Sequence, residues 1–84
     1  MNATITATIR QLAHEEGAWV KLTRLRAALP NTNRAELDKT LRQMNRSREL
    51  CLNPEMNQKA LTQEDWDAAV TVGDTPNHIV QLLN

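Results

Sequence analysis

The chain has 84 residues, ten Lys or Arg against ten Asp or Glu, and only two aromatic residues other than His. This length supports one domain with a modest core and excludes a catalytic cleft between large lobes. No apolar run approaches the roughly 18 to 20 residues that a membrane-spanning helix needs, and the N-terminus lacks the pattern of a signal peptide. With Cys51 as the only cysteine, we predict a soluble cytoplasmic protein without disulfides.

The formal net charge of zero conceals a strong asymmetry along the chain. Residues 1–50 carry nine Lys or Arg against five acids, whereas residues 51–84 carry one Lys against five acids. Within residues 19–48 the balance is eight bases to two acids. Such a separation predicts a surface of positive potential, which bears on the kind of partner rather than on the fold.

The N-terminal segment predicts a helix from about residue 3 or 4 to Glu16. Its apolar residues recur at helical spacing, and Gly17 suits the left-handed position that ends a helix. Three threonines alternate with apolar residues over residues 3–9, so a strand remains the alternative there. Residues 18–21 (AWVK) form a short extended piece.

Two short helices joined by a tight turn follow. The first spans about residues 22–29 and ends at Pro30, because proline disfavours helical backbone in the residue before it. The second begins after Asn33, which stands three residues before Glu36 in the spacing of a capping box. The connection of three or four residues is the length expected of a helix-turn-helix, although its usual glycine is absent.

The third helix, within residues 33–48, has two contrasting faces. At about 100° per residue, Leu37, Leu41 and Met44 form a stripe that predicts burial. The opposite face carries a small residue followed by long polar side chains, namely Ala35, Lys39, Arg42, Gln43 and Arg46. One side is therefore suited to a core and the other to a negatively charged partner.

After Arg48 the period of the pattern changes to that of strands. Residues 50–53 (LCLN) predict a strand, and residues 59–62 (KALT) predict its return partner, which together make a hairpin. Thr62 and Asp65 have capping spacing for a fourth helix from residue 63 to about 72, ended by Gly73. The apolar segment 77–83 is predicted to be a strand, with a helix as the alternative.

This order of elements resembles the winged helix-turn-helix superfamily over residues 3–62. The resemblance is carried by Leu22, Leu25, Leu29, Leu37 and Leu41 and by the turn Pro30-Asn31-Thr32-Asn33. It implies an α+β fold: a small winged-helix domain with a three-helix core and a β-hairpin wing, followed by a short C-terminal helix and a terminal apolar strand. The implied single domain covers residues 1–84, with the helix-turn-helix at about 22–46, the wing at about 49–62 and an extension at 63–84.

The resemblance implies a third helix in the major groove of double-stranded DNA and a wing near phosphates or the minor groove. Arg suits guanine, Gln and Asn suit adenine, and Lys or Arg elsewhere neutralises phosphate. The candidate DNA-binding residues are Asn33, Arg34, Lys39, Arg42, Gln43, Arg46, Lys21, Arg24, Arg48 and Lys59, with Arg26 as a further cation beside them. The segment expected at the wing tip, residues 55–59, carries one base and one acid, fewer bases than a wing that touches DNA often has.

The leading hypothesis is therefore a DNA-binding transcriptional regulator. One alternative is a solvated third helix whose cations are held by the pairs Asp38–Arg42 and Glu36–Lys39. Another is a winged-helix module that binds proteins, through Trp66 or the apolar C-terminal segment, which is also a candidate homodimer contact. Trp19 and Trp66 are expected in the core rather than at a partner surface.

No pattern in the sequence predicts catalysis. The two histidines, His14 and His78, are far apart, one cysteine and scattered acids give no metal-ligand spacing, and the only glycines, Gly17 and Gly73, form no phosphate loop. We therefore expect no enzyme activity, no metal and no cofactor.

Overall fold

The computed structural model describes residues 1–83, so Asn84 of the expected C-terminal extension lies outside it. The fold is α+β, with four helices and two antiparallel sheets. The helices are α1 (Asn2–Leu12), α2 (Leu22–Ala28), α3 (Arg34–Arg46) and α4 (Gln63–Asp67). The strands are β1 (Val20–Lys21), β2 (Leu50–Asn53), β3 (Val70–Val72), β4 (Thr75–Asn77) and β5 (Ile79–Leu82). No helix within residues 1–83 is long and apolar enough to cross a membrane.

The core is aliphatic and is built from the stripes that the periodicity predicts. Leu37, Leu41 and Met44 of α3 are at most 2% exposed. They pack in one cluster with Ile5 and Ile9 of α1, with the leucines of α2 and with the inward residues of the strands. Asn33 begins α3 as predicted, because its side-chain oxygen accepts the Glu36 amide at 3.1 Å. This cap and stripe fix which face of α3 remains outside.

The main sheet has the order β1-β5-β2 and is antiparallel throughout. Leu50 and Leu52 of β2 point into the core on one face, as the LCLN pattern predicts. The predicted terminal strand is confirmed as β5, which lies between the other two strands. Its helical alternative fails because Val80 pairs with both Val20 and Leu52.

Residues 54–78, called the insertion below, differ from the prediction. KALT is not the return strand of β2: Gln58–Ala60 form a short 3-10 turn, and β5 pairs with β2 instead. The physical reason is that the amides of Ala60 and Leu61 donate locally, to the carbonyl oxygens of Asn57 and Gln58, and so do not pair with a strand. The predicted cap of α4 at Thr62 is confirmed. Its hydroxyl accepts the Asp65 amide at 3.1 Å, and the Asp65 carboxylate accepts the Thr62 amide at 3.0 Å, which is a complete capping box. The wing predicted over residues 49–62 is therefore not a simple hairpin.

The fourth helix ends at Asp67 and is therefore shorter than the predicted helix, which extended to about residue 72. The β-branched residues of Val70–Val72 form β3 instead, which pairs with β4 across the two-residue turn Gly73-Asp74. Gly73 adopts φ +62, a value that glycine reaches without steric cost, so it turns a hairpin rather than ending a helix. The first helix also stops early, at Leu12 rather than Glu16, and Gly17 (φ +79) belongs to the loop before β1.

Both tryptophans lie at the surface, contrary to the expectation of a core position. Trp19 is 40% exposed and Trp66 is 42% exposed, while leucine, isoleucine and valine fill the interior. The Trp66 ring makes an edge contact with the buried ring of His78, with centroids 4.7 Å apart. His78 in turn accepts the Glu55 amide on Nδ1 at 3.1 Å, which ties the beginning of the insertion to its end.

Candidate nucleic-acid interface

The outward face of α3 carries four long polar side chains in succession. Lys39, Arg42, Gln43 and Arg46 are all exposed, and the small Ala35 lies nearer the start of the same face. The buried stripe of the helix holds this face toward solvent, because the two faces are about half a turn apart. The candidate residues predicted on α3 beyond its first turn are thus brought together on one surface.

Among residues 1–83, no acid forms an ion pair with this row. The ion pairs among residues 1–83 are Lys21–Asp65, Arg26–Asp38 and Arg34–Asp38. The competing pairs Asp38–Arg42 and Glu36–Lys39 are therefore not formed. Asp38 turns away from the row toward Arg26 of α2, where the charged atoms are 2.7 Å apart and the side chains only 14% and 16% exposed.

Arg42 is held by a backbone carbonyl of the insertion, and this hydrogen bond does not neutralise the charge of the guanidinium. Its Nε donates to the carbonyl oxygen of Thr71 in β3 at 2.8 Å. A guanidinium has five N–H donors, so the two terminal nitrogens retain the fork geometry that suits guanine or phosphate. The contact fixes the direction of the side chain, which lowers the conformational entropy lost on binding.

The first turn of α3 is arranged differently. The Asn33 side chain is used as the helix cap. The Arg34 guanidinium donates to the carbonyl oxygen of Asp67, at the end of α4, and lies 3.7 Å from the Asp38 carboxylate. Of these two candidate DNA-binding residues, one is therefore committed to the helix cap and the other to the insertion.

The remaining predicted contact residues are dispersed. Arg24 is exposed on α2, and Lys21 on β1 lies 4.0 Å from the Asp65 carboxylate. Arg48 follows α3 with φ +66, a left-handed backbone that glycine usually supplies after a helix. Lys59 lies in the 3-10 turn of the insertion rather than on a wing strand.

The Asp65 carboxylate of α4 lies within ion-pair distance of Lys21 on β1. The hydrogen bond from the Thr62 backbone amide is the main influence that lowers the pKa of Asp65 below its ordinary value, and it outweighs the opposing effect of burial. The Thr62 hydroxyl and Lys21 lower it further. Because the folded-state pKa is depressed, this group stabilises the fold above its unfolded pKa of about 3.9.

We expect that contribution to disappear as the pH falls from about 4 through the folded-state pKa of Asp65. Asp65→Asn removes the charge and preserves the shape, so its stability should fall less than that of the parent protein over this interval. Urea midpoints measured at pH 7 and at pH 3 give the comparison, with the exposed neighbour Glu64→Gln as the control. An Asp65→Asn protein with the same pH dependence as the parent would contradict this role of the carboxylate.

Sequence reasoning missed the contacts that join α2 and α3 to the insertion. Arg26 was predicted as a further cation beside the DNA-binding residues, yet it lies between Asp38 and the carbonyl oxygen of Ala68, to which its Nε donates at 3.0 Å. Backbone carbonyls such as those of Ala68 and Thr71 carry no signal in the sequence. The one related signal in the sequence was the net positive charge of residues 19–48, which indicated cations that require negatively polarised partners.

Neither a metal site nor a relative identifies the protein. Residues 1–83 contain no group of three or more His, Cys, Asp or Glu side chains placed to hold a metal ion. No protein-family model, no curated protein and no solved structure matches the chain.

Proposed function

We propose that this chain is a winged-helix DNA-binding protein, acting as a transcriptional regulator, with α3 in the major groove. The observation that carries the proposal is the exposed row Lys39, Arg42, Gln43 and Arg46, whose cations form no ion pair with an acid of residues 1–83. In the alternative of a solvated third helix, Asp38 pairs with Arg42. That pairing is absent.

The element order supports the winged-helix interpretation with one change. A helix, a short strand, two helices and two paired strands follow one another, but the partner of β2 is β5 rather than KALT. In this interpretation the insertion takes the place of the wing. It carries one Lys against five acids, so the phosphate contacts are assigned to the helices rather than to the wing.

The chemistry of the row suits both bases and phosphates. Arg42 and Arg46 can each bind guanine through two parallel hydrogen bonds, and Gln43 can bind adenine in the same manner. Lys39 supplies a point charge for phosphate. With about four phosphate contacts, the logarithm of the binding constant should fall with the logarithm of salt concentration with a slope near −3.6.

The test is a titration with mixed-sequence duplex at 50 and 200 mM salt while amide shifts are recorded, on the parent protein and on the double variant Arg42→Ala/Arg46→Ala. We expect shifts along residues 34–46 in the parent, a steep salt dependence, and loss of most affinity in the variant without unfolding. Each lost phosphate contact should make the slope shallower by about 0.9. Arg10→Ala is the control for loss of an exposed cation elsewhere on the surface, because Arg10 lies at the end of α1. Binding that survives the double change, or that ignores salt, overturns the proposal.

A protein-binding module is the second candidate, favoured by the exposure of Trp66 and of Met56, which is 95% exposed, on the insertion. Absence of any duplex binding at 50 mM salt would favour it. The C-terminal segment is a poor choice for strand pairing between two copies, because β5 already pairs with β1 on one side and β2 on the other. The strands of the main sheet with an open edge are β1 and β2.

A further inference from the structure

The insertion occupies a place in the sheet that needs no more than a tight turn. Asn53, the last residue of β2, pairs directly with Ile79, the first residue of β5. A two-residue turn is enough to join antiparallel strands in such a register. The chain instead leaves the sheet at residue 54 and returns at residue 78, and in between it packs α4 and β3 against α2 and α3.

Three arginines of the helix-turn-helix donate to carbonyl oxygens of this insertion. Arg34 donates to Asp67, Arg26 to Ala68, and Arg42 to Thr71. The carbonyls of Asp67 and Ala68 belong to the last turn of α4, where carbonyl groups lack partners within the helix and carry partial negative charge. The end of α4 therefore offers arginine the same kind of acceptor that a phosphate oxygen offers.

Two carboxylates lie near the contacts that Arg34 and Arg26 make with the insertion. Glu64 and Asp67 line an open groove together with Arg26 and Arg34, and the groove has a volume of about 290 Å³. Both acids are exposed, and neither forms an ion pair within residues 1–83. Negative charge at this position attracts the guanidinium of Arg34 and repels an approaching phosphate.

The two arginines differ in how readily they can be released. Only 16% of the Arg26 side chain is exposed, in its ion pair with Asp38, whereas 56% of the Arg34 side chain is exposed. Arg34 is also the first residue of α3, at the end of a recognition helix that contacts base edges in helix-turn-helix proteins. Arg34 is therefore the contact that DNA and the insertion can compete for.

We propose that the acidic end of α4 is an intramolecular competitor of the DNA phosphate, which occupies Arg34 in the free protein and lowers its affinity for DNA. This inference rests on the proposed function. In the parent protein the row Lys39 to Arg46 binds DNA while Arg34 stays on the Asp67 carbonyl oxygen, and a phosphate oxygen replaces that carbonyl oxygen only when the neighbouring carboxylates are removed. The insertion thus lowers the affinity of the α3 face, although it contacts the exposed row only through Arg42.

The test compares two double variants that change the net charge by the same amount. Glu64→Gln/Asp67→Asn removes the carboxylates beside Arg34. Glu15→Gln/Glu16→Gln removes two exposed carboxylates that line a separate groove between α1 and β5. Duplex affinity is measured for both variants and the parent at 50, 100 and 200 mM salt, and urea midpoints confirm that each protein is folded.

We expect Glu64→Gln/Asp67→Asn to bind duplex about five- to tenfold more tightly than the control variant at 50 mM salt. Its salt slope should be steeper by about 0.9, the increment for one additional phosphate contact. Adding Arg34→Ala to this variant should abolish both gains, whereas Arg34→Ala alone should change the affinity of the parent by less than about twofold. A role of Arg34 in folding alone would not produce this dependence on the background.

Equal affinity and slope in the two double variants would overturn the competition while leaving the proposed function intact, provided that Arg42→Ala/Arg46→Ala still abolishes binding. A gain that persists after Arg34→Ala is added would also overturn it, because the released cation would then be another residue. If no protein in the set binds duplex at 50 mM salt, the proposed function fails and the competition fails with it.

Discussion

Replacing Asp38 with Asn should lower the free energy of unfolding by about 3 kcal/mol, which is the lower end of the cost of breaking a buried ion pair because these side chains keep some solvent contact. The change leaves the Arg26 guanidinium half-buried, 2.7 Å from a neutral amide instead of a carboxylate. For a domain of this size the loss corresponds to a melting temperature lower by roughly 10–20 °C. Thermal unfolding followed by circular dichroism measures it.

The matched control is Glu36→Gln, which removes an exposed carboxylate from the same helix and should change stability by less than about 0.5 kcal/mol. A second variant, Arg26→Met/Asp38→Leu, replaces both charges with apolar groups of similar size and should recover most of the loss. An Asp38→Asn protein as stable as Glu36→Gln would show that Arg26 does not depend on this carboxylate.

Leu41→Ala should lower the free energy of unfolding by a similar or larger amount, about 3 kcal/mol. This lies within the range of roughly 2–5 kcal/mol for truncation of a buried leucine. Leu41 is 0% exposed, and its side chain belongs to the core cluster formed by α1, α2, α3 and the strands. Its truncation leaves a cavity that a small, tightly packed core can only partly fill. Urea unfolding should give a lower midpoint with an unchanged slope.

Lys39→Ala, two residues away on the exposed face, provides the contrast for this prediction. We expect it to leave the urea midpoint within the error of the parent and to weaken duplex binding, whereas Leu41→Ala should weaken binding only as far as it unfolds the protein. A Leu41→Ala loss below about 1 kcal/mol would mean that the site collapses around the smaller side chain.

The parts of the fold that follow from local chemistry were predictable. The apolar stripe of α3, its cap at Asn33 and the alternation of Leu50 and Leu52 each depend on residues within one element. The turn after α2 likewise follows from Pro30. Short-range rules suffice where the signal and the structure lie within the same few residues.

The insertion was mispredicted in its strand and not in its helix cap. A return strand over KALT and a helix cap at Thr62 were predicted together, but only the cap formed, because residues 58–60 turn as a 3-10 helix instead of extending. The true partner of β2, Ile79–Leu82, lies 26 residues beyond the end of that strand. No local pattern indicates such a separation.

The candidate site was predicted in composition but not in its contacts. The exposed row from Lys39 to Arg46 follows from helical periodicity. The direction taken by Asp38 does not, because Arg26 competes for it from a different helix. Contacts to backbone carbonyls escape prediction altogether, since every residue has a carbonyl and only the tertiary fold selects one.

The central position of β5 also constrains the order in which the protein acquires its structure during synthesis. Val80 pairs with Val20, 60 positions earlier, and with Leu52, so neither β1 nor β2 has a partner in the main sheet until residues 79–82 have emerged from the ribosome. The helices, whose backbone hydrogen bonds are local, can form first, while sheet closure waits for β5 and is the slower process. A chain stalled before residue 79 would present α3 on an incomplete core, with the edges of two short strands open to other nascent chains.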